Sequence, residues 1–338
     1  MTQIQAWAAY SPKQKLQLIT LDNGELGAEE VEIIVTHCGL CHSDLSMINN
    51  EWGLSSYPLI AGHEVVGRIS AMGSAVKGLN LGQRVGVGWN SGCCMHCHEC
   101  VSGQQHLCAH VSPTIAGGHH GGFASKMRAH WLWVMPLPEQ LDSRSAGPLL
   151  CGGVTVFAPL LKFNIKPTDH VGIVGIGGLG HLGLRFANAW GCEVTAFTTS
   201  ESKIDEAKGF GAHHVISSYD RASILTAANS LDLLLITINQ PLDWAIWLKT
   251  LKPNGRMHVV GAVLEPMPIP AIELIFGQKR VSGSPTGSPS VLATMIEFAA
   301  RHHIAPKVEH FQMREVNDAL AHLAAGKARY RVVLDADF

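Results

Sequence analysis

The sequence has few of the features that mark nucleic-acid-binding, membrane or secreted proteins. It contains no run of Lys or Arg, its formal net charge is −2 and its pI is about 6.8, which argues against nucleic acid or an anionic membrane as the main partner. No stretch of about 18 uncharged apolar residues is present, so we expect no membrane span. The opening segment, MTQIQAWAAYSPKQ, lacks a basic region followed by an apolar core, so we expect no signal peptide and a cytoplasmic chain. In that compartment clustered cysteines are metal ligands more often than disulfides.

The pattern of apolar residues divides the chain in two. Its 338 residues exceed the roughly 250–300 at which a single core stops growing, so two domains are expected. Residues 1 to about 145 carry short apolar runs punctuated by Gly, which is typical of an all-β domain. From about residue 150 strand and helix patterns alternate and predict a parallel, doubly wound sheet. The last segment, 329–338, is a strand pattern that could rejoin the first domain.

A glycine-rich loop marks a dinucleotide site. The sequence GIGGLG follows the apolar strand pattern 171–174 and opens a helix pattern, which is the context that such a loop requires. The first glycine allows a tight turn, the second lets the backbone approach a pyrophosphate, and the third lets the helix pack on the strand. The predicted loop residues are Gly175, Ile176, Gly177, Gly178, Leu179 and Gly180. The alternative is a Gly-rich turn that binds nothing.

The chain also lacks the carboxylate that NAD-selective sites place at the end of the second strand. Thr198 stands at that position and is followed by Thr199 and Ser200, with Lys203 one turn later. Hydroxyl groups and a cation suit a 2′-phosphate, which a carboxylate would repel, so the prediction is NADP. The alternative is that Glu201 binds the ribose and that the cofactor is NAD.

Five of the nine cysteines lie within residues 92–108. Four of them, Cys94, Cys97, Cys100 and Cys108, have the spacing of a closed four-thiolate zinc site, and a closed site is structural. Cys93 falls outside this register and is the spare cysteine. His96, His98 and His106 are rival ligands, and ordinary reduced thiols are the remaining alternative.

A second set of metal-binding residue types is scattered along the sequence. Cys41, His63, Glu64 and Cys151 are far apart, and taken singly Cys151 reads as a small buried residue and His63 as a core histidine. Cys38 and Cys192 have only the core interpretation.

A resemblance joins these scattered motifs. CGLCHSD, AGHEVVG, the four-cysteine segment, GPLLCGGVTVF, GIGGLGHLG and VSGS occur in this order across nearly the whole chain. The sequence resembles the zinc-containing medium-chain alcohol dehydrogenases and is most similar to their cinnamyl alcohol dehydrogenase branch, which includes bacterial NADPH-dependent aldehyde reductases. The resemblance implies a GroES-like β-rich catalytic domain at 1–148 and 286–338, with its zinc lobe at 92–108. It implies a Rossmann cofactor domain at 149–285.

The resemblance also implies a catalytic metal site. The resemblance implies that Cys41, His63 and Cys151 are the three catalytic zinc ligands. Ser43 matches the hydroxyl that binds the substrate alcohol. Asp44 matches the carboxylate that orients the ligand histidine, and Glu64 matches an acidic residue near the zinc. Ser46 stands where many members carry a proton-relay histidine, so the route of the proton to solvent is left open.

Cofactor, substrate and assembly follow from the same resemblance. The family's cofactor positions match His42, Thr155, Thr237, Gly261, Ser282, Gly283 and Ser284. Trp52 and Trp89 lie in segments that border the substrate in the family; the alternative is that they are plain core aromatics. The implied activity is reversible interconversion of aldehydes and primary alcohols by hydride transfer with NADP(H). Two zinc ions per chain and a homodimer are expected. A zinc-free quinone reductase and a zinc-ribbon binding module are the rival classes.

Overall fold

The computed structural model describes residues 3–338 and separates into two compact units. One unit comprises the described residues up to Val154 together with Thr286–Phe338, and the other is Thr155–Pro285. The first boundary between the two units, after Val154, therefore lies a few residues beyond the predicted domain boundary at 148/149. The assignment of a separate function to each domain stays a prediction.

The first unit contains mostly strands, as its Gly-punctuated apolar runs predict. In chain order its elements up to residue 146 are β1 (Gln3–Ala9), β2 (Gln17–Asp22), β3 (Glu30–Leu40), α1 (His42–Ile48), β4 (Leu59–Ile60), β5 (Glu64–Met72), β6 (Arg84–Val87), β7 (Asn90–Gly92), α2 (His98–Val101), β8 (Ser112–Pro113), β9 (Lys126–His130), β10 (Met135–Pro136) and α3 (Ser143–Ala146). Short 3₁₀ turns occupy Gln105–Leu107, Trp131–Trp133 and Gly147–Leu150.

The second unit alternates helix and strand. Its elements are α4 (Gly152–Lys162), which begins just before the first boundary, then β11 (His170–Val174), α5 (Gly180–Trp190), β12 (Glu193–Thr198), a 3₁₀ turn (Glu201–Lys203), α6 (Ile204–Gly209), β13 (His214–Ser217), α7 (Arg221–Leu225), β14 (Leu231–Ile236), α8 (Trp244–Lys249), β15 (Leu251–Val259), α9 (Ala271–Gly277) and β16 (Arg280–Gly283). The chain then returns to the first unit with α10 (Pro289–Arg301), β17 (Val308–Gln312), a 3₁₀ turn (Met313–Glu315), α11 (Val316–Ala324) and β18 (Arg331–Asp335).

The largest sheet of the first unit brings distant parts of the chain together. It has seven strands in the order β10-β6-β5-β3-β18-β17, with β9 also paired to β3. The C-terminal strand β18 pairs with β3, so the last segment rejoins the first unit, as the sequence predicts for residues 329–338. Strands β3 and β5 are antiparallel, and Gly39 lies opposite Glu64. This register sets the residues after β3 beside those before β5.

The segment CGLCHSD spans the end of a strand and the start of a short helix. The strand ends at Leu40, and helix α1 begins at His42 with Cys41 as its N-cap residue. The Asp44 carboxylate accepts the backbone N–H of Cys41 at 2.8 Å, which is half of a capping box. A seven-residue helix is too short to show a clear 3.6-residue period.

The second unit is built on a six-stranded parallel sheet, as predicted. Its order is β13-β12-β11-β14-β15-β16, and the pairings between neighbours are parallel. The chain moves outward from β11 in one direction and then resumes at β14 on the other side. Such a reversal forms a crevice at the carboxyl ends of the central strands, where open α/β sheets bind ligands.

We find no single helix in residues 3–338 that is long and apolar enough to cross a membrane. Only the bent pair Ser143–Leu150 and Gly152–Lys162 reaches that length and composition, when its two members are taken together.

Candidate functional site

The four cysteines predicted for the zinc lobe converge in the structure. Their sulfur atoms all lie within 4.8 Å of one another. The separation is 3.5 Å between Cys94 and Cys108, 3.7 Å between Cys97 and Cys108, and 3.9 Å between Cys94 and Cys100. A tetrahedral zinc with bonds of about 2.3 Å would separate its sulfurs by about 3.8 Å. The four thiols therefore fit a closed zinc site.

Local structure produces this arrangement. Cys97 is the N-cap residue of α2 and Cys100 lies within that helix, so the two share one face. The 3₁₀ turn at residues 105–107 then delivers Cys108. The Cys93 sulfur lies outside the cluster, 3.5 Å from the sulfur of Met95, so it is the spare one, and the rival histidines are not among the clustered ligand atoms.

The scattered residues form a second, more deeply buried cluster. The ligand atoms of Cys41, His63, Glu64 and Cys151 also lie within 4.8 Å of one another. Cys41 follows β3, His63 precedes β5, and the pairing of these strands places the two residues side by side. Cys151 arrives from the turn Gly147–Leu150, and its sulfur is 3.3 Å from His63 Nε2. A nitrogen and a sulfur on one tetrahedral zinc would lie about 3.6 Å apart, so this set also fits zinc.

Asp44 holds the second cluster in place. Its carboxylate is fully buried and accepts the Nδ1–H of His63 at 2.8 Å, the backbone N–H of Gly62 at 2.8 Å and that of Cys41 at 2.8 Å. The carboxylate fixes the tautomer in which Nε2 of His63 keeps its lone pair for a metal. Asp44 thus orients one ligand and the backbone of another.

Electrostatics prepare one thiol for metal binding. A hydrogen bond from Cys151 lowers the pKa of Cys41 well below its usual range, and the positive charge of Arg331 acts in the same direction. The same hydrogen bond and burial raise the pKa of Cys151. Burial lowers the pKa of His63, but the Asp44 carboxylate and the Cys41 sulfur together outweigh it and raise that pKa above its usual range. A lowered pKa favours the thiolate form of Cys41, which is the form that binds metal.

The glycine loop has the geometry that a dinucleotide requires. Gly175 follows β11 with φ +88°, which is the left-handed region. A Cβ on Gly180 would meet the carbonyl oxygen of Gly175 at 1.8 Å, so helix α5 starts against the loop backbone. A Cβ on Gly177 would meet nothing within 4 Å, which leaves its backbone open to a ligand. The loop lies at the carboxyl end of the central strand and fits a pyrophosphate.

Comparison with known proteins gives the family. The sequence matches the alcohol dehydrogenase GroES-like domain over residues 27–139 and the zinc-binding dehydrogenase family over residues 178–301. It is 52% identical to the aldehyde reductase AdhA of Synechocystis sp., over 98% of both chains. The chain belongs to the zinc-binding alcohol dehydrogenase family. The protein is therefore an oxidoreductase of the alcohol dehydrogenase and aldehyde reductase class, as predicted.

Solved structures of similar proteins support the same assignment for this dehydrogenase. A cinnamyl alcohol dehydrogenase from Sorghum bicolor shares 37% identity with a TM-score of 0.95, covering 99% of this chain and 98% of the other. CAD from Helicobacter pylori complexed with NADP(H) shares 28% identity with a TM-score of 0.90, over 99% and 98% of the two chains. The predicted fold class, a GroES-like β-rich domain plus a Rossmann sheet, is confirmed, and so is the resemblance to the cinnamyl alcohol dehydrogenase branch.

Other predicted cofactor positions of the dehydrogenase lie near the carboxyl ends of the Rossmann strands. At the end of β12 the buried Thr198 side chain accepts the N–H of Ser200 at 3.2 Å, and Lys203 Nζ donates to the carbonyl of Ile176 in the glycine loop at 2.8 Å. Thr199 and Glu201, the rival ribose ligand, are exposed. The Thr237 hydroxyl lies 2.8 Å from the carbonyls of Val174 and Gly175, so Thr237 braces the loop itself.

The remaining predicted positions have local structural roles that sequence alone left open. A Cβ on Gly261 would meet the carbonyl oxygen of Ile238 at 1.9 Å, so close backbone packing explains that glycine. The hydroxyl of the buried Thr155 donates to the carbonyl of Pro285 at 3.3 Å. His42 is exposed at the first position of α1. Their cofactor roles stay predictions.

The surroundings of the Cys41, His63 and Cys151 cluster include two tryptophans. The ring of Trp89 packs edge-on against His63 with centroids 4.9 Å apart, and Trp52 packs on Trp89 at 6.0 Å. The Ser43 hydroxyl lies 3.8 Å from the Cys41 sulfur. Ser46, which replaces the relay histidine, is buried and donates to the Glu51 carboxylate at 2.7 Å. These contacts place Trp89 and Ser43 beside the candidate zinc ligands, and Trp52 packs on Trp89.

Sequence reasoning missed Arg331. Arg331 lies in β18, is buried, and forms an ion pair through Nη2 with Oε1 of the fully buried Glu64. Its Nη1 lies 3.9 Å from the Cys41 sulfur. Burial raises the pKa of Glu64 to about 7, although Arg331 opposes that shift. The only sequence signal was a cation followed by the apolar run 332–334.

Proposed function

We propose that this dehydrogenase uses NADP(H) and zinc to interconvert a broad range of aldehydes and primary alcohols. The observation that carries the proposal is the convergence of Cys41, His63 and Cys151 in one buried cluster, apart from the closed four-thiol lobe. Three protein ligands leave a fourth position for a substrate oxygen. The 52% sequence identity to an aldehyde reductase supports the same activity, and so does the structurally similar CAD that was solved in complex with NADP(H). Neither rival class, a quinone reductase or a zinc ribbon, requires both thiol-rich clusters and the glycine loop.

The residues of the chain have separate tasks in this activity. Bound zinc would supply a Lewis acid for the substrate oxygen, and bound nicotinamide would supply or accept the hydride. Cys41, His63 and Cys151 would hold the catalytic zinc, and the lobe cysteines would hold the structural one. Asp44 keeps His63 in the binding tautomer, and the Ser43 hydroxyl gives a proton to the substrate oxygen or takes one from it. Trp52 and Trp89 form an apolar wall that excludes water.

We also propose the cofactor role of the second unit. Gly175–Gly180 would hold the pyrophosphate, while Thr198, Thr199, Ser200 and Lys203 would surround the 2′-phosphate. The remaining predicted positions would contact the nicotinamide half. On this assignment Thr155–Pro285 is the cofactor domain, the first unit is the catalytic domain, and the chain works in the cytoplasm.

Cofactor preference tests the proposal directly. The unmodified protein should reduce aldehydes with a much higher kcat/KM for NADPH than for NADH. Thr198→Asp should narrow or reverse that preference, because a carboxylate against a 2′-phosphate costs several kcal/mol, on the order of a hundredfold in kcat/KM for NADPH. A panel of aldehydes and alcohols assayed with both cofactors measures the preference and the substrate range together.

Thr168→Asp is the matched control. Thr168 is exposed just before β11, at the amino end of the same sheet, so it receives the same charge far from the predicted phosphate site. The control should leave the preference unchanged. Equal efficiency of NADPH and NADH in the unmodified protein would overturn the assignment of Thr198.

We further propose a homodimer formed through the second unit. Helix α9 exposes Ile272, Ile275 and Phe276, at 54%, 66% and 85%, and β16 is the last strand of the six-stranded sheet. An exposed apolar patch beside a sheet edge is typical of an interface. Phe276→Glu should convert a dimer to a monomer in light scattering. Tyr219→Glu, at an equally exposed aromatic (84%) that follows β13 at the other end of the sheet, should leave it dimeric; a monomeric parent would contradict the proposal.

A further inference from the structure

A buried histidine links two serines at the edge of the Rossmann sheet. His258 lies in β15 and its side chain is inaccessible to solvent. Its Nδ1 is 2.9 Å from the hydroxyl of Ser282, and its Nε2 is 2.8 Å from the hydroxyl of Ser284. Both ring nitrogens are therefore used. A polar group buried at this position is costly unless its hydrogen bonds are made.

The neighbouring arginine favours one direction for these hydrogen bonds. Arg256 Nη1 lies 3.3 Å from the Ser282 hydroxyl and can only donate. Ser282 still has its own proton to give, and His258 Nδ1, at 2.9 Å, is positioned to accept it. A neutral imidazole that accepts at Nδ1 donates at Nε2. In this arrangement Ser284 receives a hydrogen bond from His258, and its own proton is left to donate to another group.

The histidine stays neutral in this setting. Burial lowers its pKa to about 4, and the positive charges of Lys162 and Arg256 act in the same direction. A neutral ring preserves the sequence of donors and acceptors that runs from Arg256 through Ser282 and His258 to Ser284.

Ser284 lies where its hydroxyl could donate to a bound dinucleotide. His258 is the residue before the end of β15, Ser282 lies opposite it in β16, and Ser284 follows β16 directly. These residues therefore lie at the carboxyl edge of the parallel sheet, the edge that carries the glycine loop after β11. Ser284 is half-buried, and in the part of the chain that the structure describes its hydroxyl has His258 as its only hydrogen-bond partner.

We propose that His258 is a positioning residue, which orients the Ser284 hydroxyl to donate a hydrogen bond to the nicotinamide half of the dinucleotide. This inference rests on the proposed function, because it requires that a dinucleotide binds at this edge. The acceptor would be an oxygen of the carboxamide or of the adjoining ribose. His258 itself does not touch the ligand; it acts through Ser284.

A double-mutant cycle tests this role. His258→Leu removes both hydrogen bonds, and Ser284→Ala removes the proposed donor. Each should raise the Kd for NADPH about five- to tenfold, the usual effect of one lost hydrogen bond. The double variant should bind NADPH no more than about twofold more weakly than Ser284→Ala alone, because His258 acts through Ser284. Quenching of tryptophan fluorescence measures the Kd without turnover.

Further variants separate positioning from packing. His258→Gln can still donate to Ser284 and should restore most of the affinity. Adenosine 2′,5′-bisphosphate lacks the nicotinamide half, so its Kd should not change in any of these variants. His170→Leu is the control, because His170 bonds Thr195 at the amino end of the same sheet and should leave the Kd for NADPH unchanged.

The possible results divide clearly. Independent, multiplying losses in the double variant, or equal weakening of the bisphosphate, would show that His258 only supports packing and would overturn the inference. If His258→Leu fails to fold, a Gln variant that binds NADPH no better than Ser284→Ala overturns it as well. If the unmodified protein binds the bisphosphate but not NADPH, the proposed cofactor itself is wrong, a result distinct from a failure of the His258 role.

Discussion

Cys151→Ala is expected to lose one of its two zinc ions and to lower aldehyde turnover by a factor on the order of a thousand. The substitution removes one of three protein ligands and a negative charge from a buried cluster. Lewis-acid stabilisation is worth several kcal/mol at the transition state, and each ~1.4 kcal/mol is a factor of ten in rate. The glycine loop belongs to a separate element, so the Kd for NADPH should remain near that of the parent. Zinc content, NADPH affinity and turnover are measured on the same purified variant.

Two other cysteines make this result interpretable. Cys97→Ser should lose the other zinc and much of the heat stability, since a closed thiolate site contributes folding free energy directly. Cys192→Ala changes a buried cysteine outside both clusters and should keep both zinc ions and nearly normal specific activity. Near-normal turnover of Cys151→Ala with one zinc missing would show that the chemistry does not depend on this cluster.

The sequence was most informative where the relevant contacts are local. The spacing of Cys94, Cys97, Cys100 and Cys108 gives their convergence, because one helical turn and one 3₁₀ turn connect them. The glycine loop is likewise predictable from the sequence, because strand, turn and helix follow one another within residues 170–190. The alternation of strand and helix predicts the parallel sheet for the same reason.

The candidate catalytic cluster depends on contacts that a single sequence does not specify. Cys41 and His63 meet because β3 and β5 pair in one register, and Cys151 reaches them from a turn 88 residues after His63. Only the resemblance to a known family predicted that set. The sequence did not predict helix α1, because this seven-residue helix is marked only by its capping residues and is too short to show a 3.6-residue apolar period. His258 was overlooked because a histidine within an apolar strand carries no motif.

Arg331 shows the same limit most clearly. It lies 267 residues from Glu64 in sequence and reaches it because β18 is inserted beside β3. The C-terminal strand was predicted to rejoin the first domain, but its pairing partner was not. Without that register, nothing in the sequence distinguishes Arg331 from a solvated arginine at a strand end.

Arg331→Leu is expected to lower the free energy of unfolding by about 3–5 kcal/mol, the usual cost of leaving one member of a buried ion pair without its partner. Glu64 is fully buried, and its second oxygen, Oε2, has no hydrogen-bond partner within the described residues, so Arg331 is the side chain that donates to its carboxylate there. The double variant Glu64→Gln with Arg331→Leu should recover part of that loss, because it removes the unpaired charge. Denaturant unfolding of the zinc-loaded protein measures all three variants.

Arg314→Leu is the matched control, since it breaks an arginine–carboxylate pair of comparable geometry at the surface. Arg314 Nη1 lies 2.5 Å from Asp337 Oδ2, but the Arg314 side chain is 69% exposed, against 6% for Arg331. Solvent screening limits such a pair to about 0–1 kcal/mol. Equal losses in Arg314→Leu and Arg331→Leu would show that burial of the Glu64–Arg331 pair does not set its contribution. A much larger loss in Arg331→Leu, partly recovered in the double variant, would show that Arg331 is needed to keep the Glu64 carboxylate buried beside the candidate metal ligands.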